Sequence, residues 1–70
     1  MLVLGNDLAI LFWLKLEYLK DDESWFTVTQ ISNAIRLSRD RTARHLRHLT
    51  FKMLVDTKID KWSNVYRFRR

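Results

Sequence analysis

The sequence predicts an α+β fold, mostly α, with three helices, one short strand and a C-terminal β-hairpin. Three observations lead there. An almost unbroken apolar stretch follows Asp7, the stretch LSRDRTARHLRHL from Leu37 to Leu49 sorts its residues onto two helical faces, and beyond Met53 the apolar period falls from 3.6 to 2.

The first helix starts at Asn6 or Asp7, either of which can cap it, and runs to about Lys20, where the acidic, turn-like DDES ends it. Its apolar residues cover nearly the whole circumference. A helix of that kind is buried on more than one side, and a 70-residue chain has too little material to cover it. A second copy of the protein is the expected cover, with Leu2, Leu4, Leu8, Leu11, Phe12, Trp13 and Leu16 as the contact residues.

Trp25 to Val28 is an aromatic and β-branched run long enough for one brief strand. Thr29 then caps a short helix, TQISNAIR, in which Ile31, Ala34 and Ile35 share a face. Arg36, Leu37 and Ser38 make a tight connection to the third helix. At about 100° per residue, Thr42, Leu46, Leu49 and Met53 fall on one side of that helix, and Asp40, Arg44, Arg47 and His48 fall opposite. Ser38 caps its first turn and leaves backbone N–H groups presented there. One face suits a core and the other an anion.

Leu54 to Ile59 and Val65 to Arg69 alternate as strands, with Asp60 to Asn64 between them. Tyr66 and Phe68 are expected to point inward, with Val65, Arg67 and Arg69 on the other face. Two helices joined by three residues and followed by a hairpin give the order of a winged helix-turn-helix.

Charge is divided along the chain. Residues 1 to 35 carry two basic and five acidic groups, a net of −3, whereas residues 36 to 70 carry eleven basic and three acidic, a net of +8. A field so lopsided directs the C-terminal half toward a polyanion, nucleic acid first and an anionic membrane surface second. The acidic residues around the first helix argue against the membrane, and the longest apolar run, Leu8 to Leu14, is seven residues where spanning needs about 20.

The chain reads as a single domain over residues 1–70. A domain this short buries only about 60% of the surface its unfolded chain exposes. With no cysteine to staple it, dense packing of its nine aromatics and association are the remaining supports. The lack of cysteine fits a reducing cytoplasm, nucleoid-associated or, for a viral protein, that of the host.

No enzyme is expected. Asp21, Asp22 and Glu23 cluster in a turn without a histidine, and Ser24, Ser32, Ser38 and Ser63 read as caps or turn residues. His45 and His48 are two potential ligands without a third, set among arginines that repel a cation, so neither metal nor cofactor is expected. His45 lies at the edge of the apolar stripe and is expected to pack. No small-molecule ligand is expected either.

From Thr27 to Val55 the sequence TVTQISNAIRLSRDRTARHLRHLTFKMLV resembles the core of winged helix-turn-helix regulators of the MarR-like and ArsR-like classes. The resemblance lies in the TVTQIS start, the LS turn, the RHLRHL run, the LV that begins the wing and the wing's VYRF ending. It implies that Ser38, Arg39, Arg41, Arg44, Arg47 and His48 face double-stranded DNA, and that Lys58, Lys61 and Arg67 lie along the wing near backbone or minor groove, with Trp62 near the tip. Arginine chemistry agrees, since a guanidinium forks onto guanine O6 and N7 or clamps phosphate.

Thr29 and Gln30 are candidate phosphate donors at the start of the second helix. Asp40 could accept from a cytosine amino group, or support the helix dipole and orient Arg44. Trp62 could stack or wedge on a partner, or fold back on Phe51 as local core. Two departures from the resembled pattern are Arg36 and Met53, which stand where glycine often supplies a positive φ. ArsR-like metal sensing has no ligand set here.

The expected function is therefore sequence-specific DNA binding as a homodimeric transcriptional regulator. The alternatives are a winged-helix protein-interaction adaptor, a non-specific architectural nucleic-acid binder, or single-strand binding through Trp62 and Phe51. The small size, single glycine and few amides are similar to those of winged-helix proteins of archaea and their viruses.

Overall fold

In a computed structural model, which describes residues 5–69, three helices pack on one face of a three-stranded antiparallel sheet. The elements are α1 (Asn6–Lys20), β1 (Phe26–Thr27), α2 (Val28–Ile35), α3 (Arg39–Phe51), β2 (Val55–Asp60) and β3 (Ser63–Phe68), and β3 lies between β1 and β2 in the sheet. One core joins all three helices to the sheet: Ile10 and Leu14 from α1, Ile31 from α2, Leu46 and Leu49 from α3, Val55 and Tyr66 from the strands.

The N-terminus of α1 differs from the expected cap. Gly5 occupies the capping position without a side-chain bond, and Asp7 instead reaches across to α3, where its carboxylate meets His45 Nδ1 at 2.5 Å. The expected packing of His45 is thus a polar tie between α1 and α3. Leu2 and Leu4 lie outside the described residues. The helix buries Ile10 and Leu14 and turns Leu11 and Trp13 onto the core, so the contact set expected on its outer face narrows to Leu8, Phe12 and Leu16, all exposed. Trp13 meets the Phe26 ring edge-on at 5.0 Å. Asp21, next to the helix end, accepts from the Glu23 N–H and the Ser24 hydroxyl, and those two bonds hold its carboxyl below the ordinary range. It is a turn residue kept ionised.

The strand expected over Trp25 to Val28 is only Phe26–Thr27, because Thr27, rather than Thr29, caps α2. Its hydroxyl accepts from the Gln30 N–H at 3.1 Å while Gln30 Oε1 accepts from the Thr27 N–H at 2.8 Å, a reciprocal capping box that starts the helix two residues early. On α2 the inner neighbour of Ile31 is Ser32, whose hydroxyl donates to the Thr29 carbonyl at 3.0 Å, and Ala34 is exposed.

Both positions expected to need a left-handed backbone have one. Arg36 has φ 59° and closes α2, with the Leu37 N–H returning to the Ser32 carbonyl at 3.0 Å. Met53 has φ 62° and closes α3 in a Schellman motif, its own N–H bonding Thr50 O and that of Leu54 bonding Leu49 O, both at 3.0 Å. Met53 therefore leaves the buried stripe and is exposed, whereas Thr42, Leu46 and Leu49 are buried as expected. A non-glycine residue in this conformation costs about 1 kcal/mol. Met53→Gly is accordingly expected to raise stability by about 1 kcal/mol, a gain of roughly 4–8 °C for a domain of this size, measurable by thermal unfolding.

The hairpin is tighter than the spacing suggests. β2 and β3 pair from Val55↔Phe68 to Asp60↔Ser63, which leaves only Lys61 and Trp62 as the turn. Their φ values, 48° and 74°, are both positive, as a type I′ turn requires, although such turns favour Asn-Gly. Tyr66 and Phe68 face the helices as expected. Val65, expected on the open face, is nevertheless buried there. Beside it in the sheet, Lys58 and Arg67 both lie over the Trp25 ring, each 4.4 Å from its centre.

Candidate nucleic-acid interface

The exposed surface of α3 holds the main cluster of positive charge among the expected site residues. Burial of Thr42, Leu46 and Leu49 fixes the helix's rotation, and Arg39, Arg41, Arg44, Arg47 and His48 are all left exposed. Ser38 caps the helix through its hydroxyl, which accepts from the Arg41 N–H at 3.3 Å. Asp40 stands exposed in the first turn, and no ion pair joins it to Arg44 among the described residues. Of its two readings, the one that has it orient Arg44 finds no contact to rest on.

The hairpin stands beside this surface. One cleft is walled by Arg47, Ala43, Thr50 and Phe51 of α3 and by Thr57, Asn64 and Tyr66 of the hairpin. A second is walled by Thr27 and Thr29 at the start of α2, Arg39 at the start of α3, and Ser63 and Asn64 of β3. Val28 and Asn64 wall both clefts, so Arg47 and the pair Arg39 and Thr29 line two adjoining clefts beside the hairpin. Arg44 lies toward the centre of the outward face. Arg41 and His48, one turn either side of His45, lie on the flank bordering α1, because His45 itself is tied to Asp7.

Other expected contacts are placed elsewhere. Gln30 commits its carbonyl oxygen to the capping box and keeps only its NH₂ group for a phosphate. Lys58 and Arg67 project from the face of the sheet opposite Thr57, Asn64 and Tyr66, since neighbours along a strand alternate. There they clasp Trp25, and Arg67 also donates to the Asp22 carbonyl at 3.0 Å. The structure does not bring these two cations to the α3 surface. Lys61 and Trp62 form the hairpin tip. Trp62 is 98% exposed and Phe51 87% exposed, so the tryptophan does not fold back on the phenylalanine.

Two residues absent from the set expected to face the duplex line these clefts. Phe51 presents its ring beside Arg47, where an apolar edge suits a thymine methyl group, and Asn64 supplies an amide to both clefts. Phe51 was legible from helical spacing, since it stands i+4 from Arg47. Asn64 was masked by its resemblance to a turn residue.

Among the described residues no group of three or more metal-binding side chains occurs, and no helix is long and apolar enough to cross a membrane. Among protein-family models and curated proteins, none matches this chain.

Proposed function

We propose that this chain is a winged helix-turn-helix protein that binds double-stranded DNA, with α3 in the major groove and the β2–β3 hairpin as the wing on flanking backbone or minor groove. The observation that carries the reading is the placement of Arg39, Arg44 and Arg47 on the solvent side of a helix whose other side is locked into the core. A rigidly backed helix carrying guanidinium groups, with a capped start, is suited to fork onto guanine edges and to clamp phosphates. The α2–α3 connection of three residues and the adjacent hairpin fit that mode of docking.

The protein acts in this reading as a homodimeric transcriptional regulator. Leu8, Phe12 and Leu16 repeat at i, i+4 and i+8 on the exposed side of α1 and, with Ala9, Trp13 and Ile35, line an apolar groove. Such a strip is self-complementary under a two-fold axis, and a two-fold dimer would present two α3 helices to half-sites about one helical turn apart. Phe12→Glu is expected to convert the dimer to a monomer in sedimentation equilibrium while leaving the helical circular dichroism intact. A wild-type chain that sediments as a monomer at high concentration refutes the dimer.

Titration of duplex DNA against salt tests the binding itself. If the dimer neutralises on the order of six to ten phosphates, log affinity falls against log salt with a slope of about −5 to −9. A flat response refutes DNA binding.

A further inference from the structure

We propose that Trp62 is a wedge that enters the stack of a DNA duplex at a deformable base step beside the α3 site. This rests on the duplex-binding reading above and adds to it a deformation of the DNA.

The first observation is chemical. Trp62 stands at the end of the hairpin with 98% of its surface in water, next to Lys61 and close in the chain to Ile59, itself 76% exposed. A large apolar ring held out between solvent-facing residues and a cation gains nothing in the free protein. In a nucleic acid it gains stacking, while Lys61 meets the backbone beside it.

The second is conformational. Trp62 and Lys61 both adopt positive φ, where glycine or asparagine would be less strained. The tip therefore holds a ring in a backbone conformation that opposes having a side chain there, a concentration of strain of the kind found at binding sites.

The third is mechanical, for a wedge must be backed. Strand pairing continues without a break up to Asp60↔Ser63, at the edge of the turn, and Thr57 Oγ1 donates to the Val65 carbonyl at 3.0 Å. On the outer face of the sheet the clasp of Lys58 and Arg67 about Trp25, with the bond from Arg67 to Asp22, braces the two strands.

The fourth is positional. Ser63 follows Trp62 directly and walls the same cleft as Arg39, so the tip stands at the edge of the cleft where α3 begins. A duplex seated on α3 brings its neighbouring minor groove toward the tip. Pyrimidine–purine steps, TA above all, unstack most readily and would accept the ring. Apolar insertion of this kind kinks DNA by about 20–90°.

The test uses the full chain and a duplex of about 30 base pairs with a central TA step. Its adenine is replaced by 2-aminopurine, and the duplex ends carry a fluorescence-transfer pair. Wild type is expected to raise 2-aminopurine emission and to shorten the end-to-end distance. Trp62→Ala, which removes no buried contact, should still bind with an unchanged salt slope. It should bind about 10-fold more weakly, with neither unstacking nor bend. Trp62→Phe should retain both signals in part. Trp62→Gly should melt at a higher temperature than wild type, yet lose both signals. Wild-type binding without unstacking, or a Trp62→Ala variant that bends DNA as wild type does, overturns the wedge and leaves duplex binding standing. Tighter binding to the single strand than to the duplex also overturns it, assigning the ring to stacking on unpaired bases. Failure to bind any duplex overturns the wedge and the duplex reading together.

Discussion

Replacing Arg44 and Arg47 together by alanine is expected to reduce affinity for duplex DNA by on the order of a thousandfold, with no change in thermal stability. Each guanidinium is worth about 1–3 kcal/mol where it forks onto a base edge or phosphate. A two-fold dimer presents each residue twice, so even the lower figure compounds to about 4 kcal/mol. Both side chains are exposed, and neither supports the core. Electrophoretic mobility or anisotropy titrations at fixed salt measure the loss. Lys15→Glu, which lowers the net charge by the same two units on the exposed part of α1, is the matched control and should retain most of the wild-type affinity. If the control loses as much as the arginine variant, attraction to the net charge of the chain explains the binding, and α3 has no special part in it.

The largest expected loss of stability follows from Leu46→Ala. Leu46 is 0% exposed and sits where α3 meets the rest of the core. Truncating such a leucine costs about 2–5 kcal/mol through lost transfer energy and the remaining cavity. At about 0.05–0.15 kcal/mol per residue, the whole chain has roughly 3.5–10 kcal/mol to lose. Much of the population is therefore expected to unfold near body temperature, visible as a lower denaturation midpoint by circular dichroism. DNA affinity should fall with it and recover on cooling into the folded range. That recovery separates Leu46→Ala from the arginine variant, whose deficit persists in the folded protein.

The comparison between sequence and structure shows where local chemistry is sufficient. The amphipathic division of α3, the Ser38 cap and the existence of the hairpin follow from spacing and side-chain type, whereas the positive φ at Arg36 and Met53 is implied only by the resembled pattern, since neither side chain favours it. Local chemistry is insufficient where two roles compete for one residue. Thr27 and Thr29 can each cap a helix, and only the reciprocal bond from Gln30 decides between them. Asp7 could cap α1, yet His45, 38 residues away in the chain, takes its carboxylate. Strand alternation does tell which hairpin residues share a face. The destination of Lys58 and Arg67 depends on Trp25, whose sequence context signals a strand and nothing of its partners. Long-range pairings of this kind leave no periodic trace. The outward site on α3 was legible for the same reason the helix was, since one pattern sets both the buried stripe and its opposite.

The hydrogen bond from Arg67 to Asp22 ties the middle strand of the sheet to the loop that leaves α1. Because that strand is paired on both sides, whatever sets its tilt also sets how far the hairpin tip stands from the α3 arginines. If the protein binds a duplex as proposed, the separation between its two grips is governed by a part of the molecule that touches neither. The back of the sheet works as the ruler of the front, and in the proposed reading changes at Trp25 or Arg67 would reset the preferred site length while the side chains of α3 stayed the same.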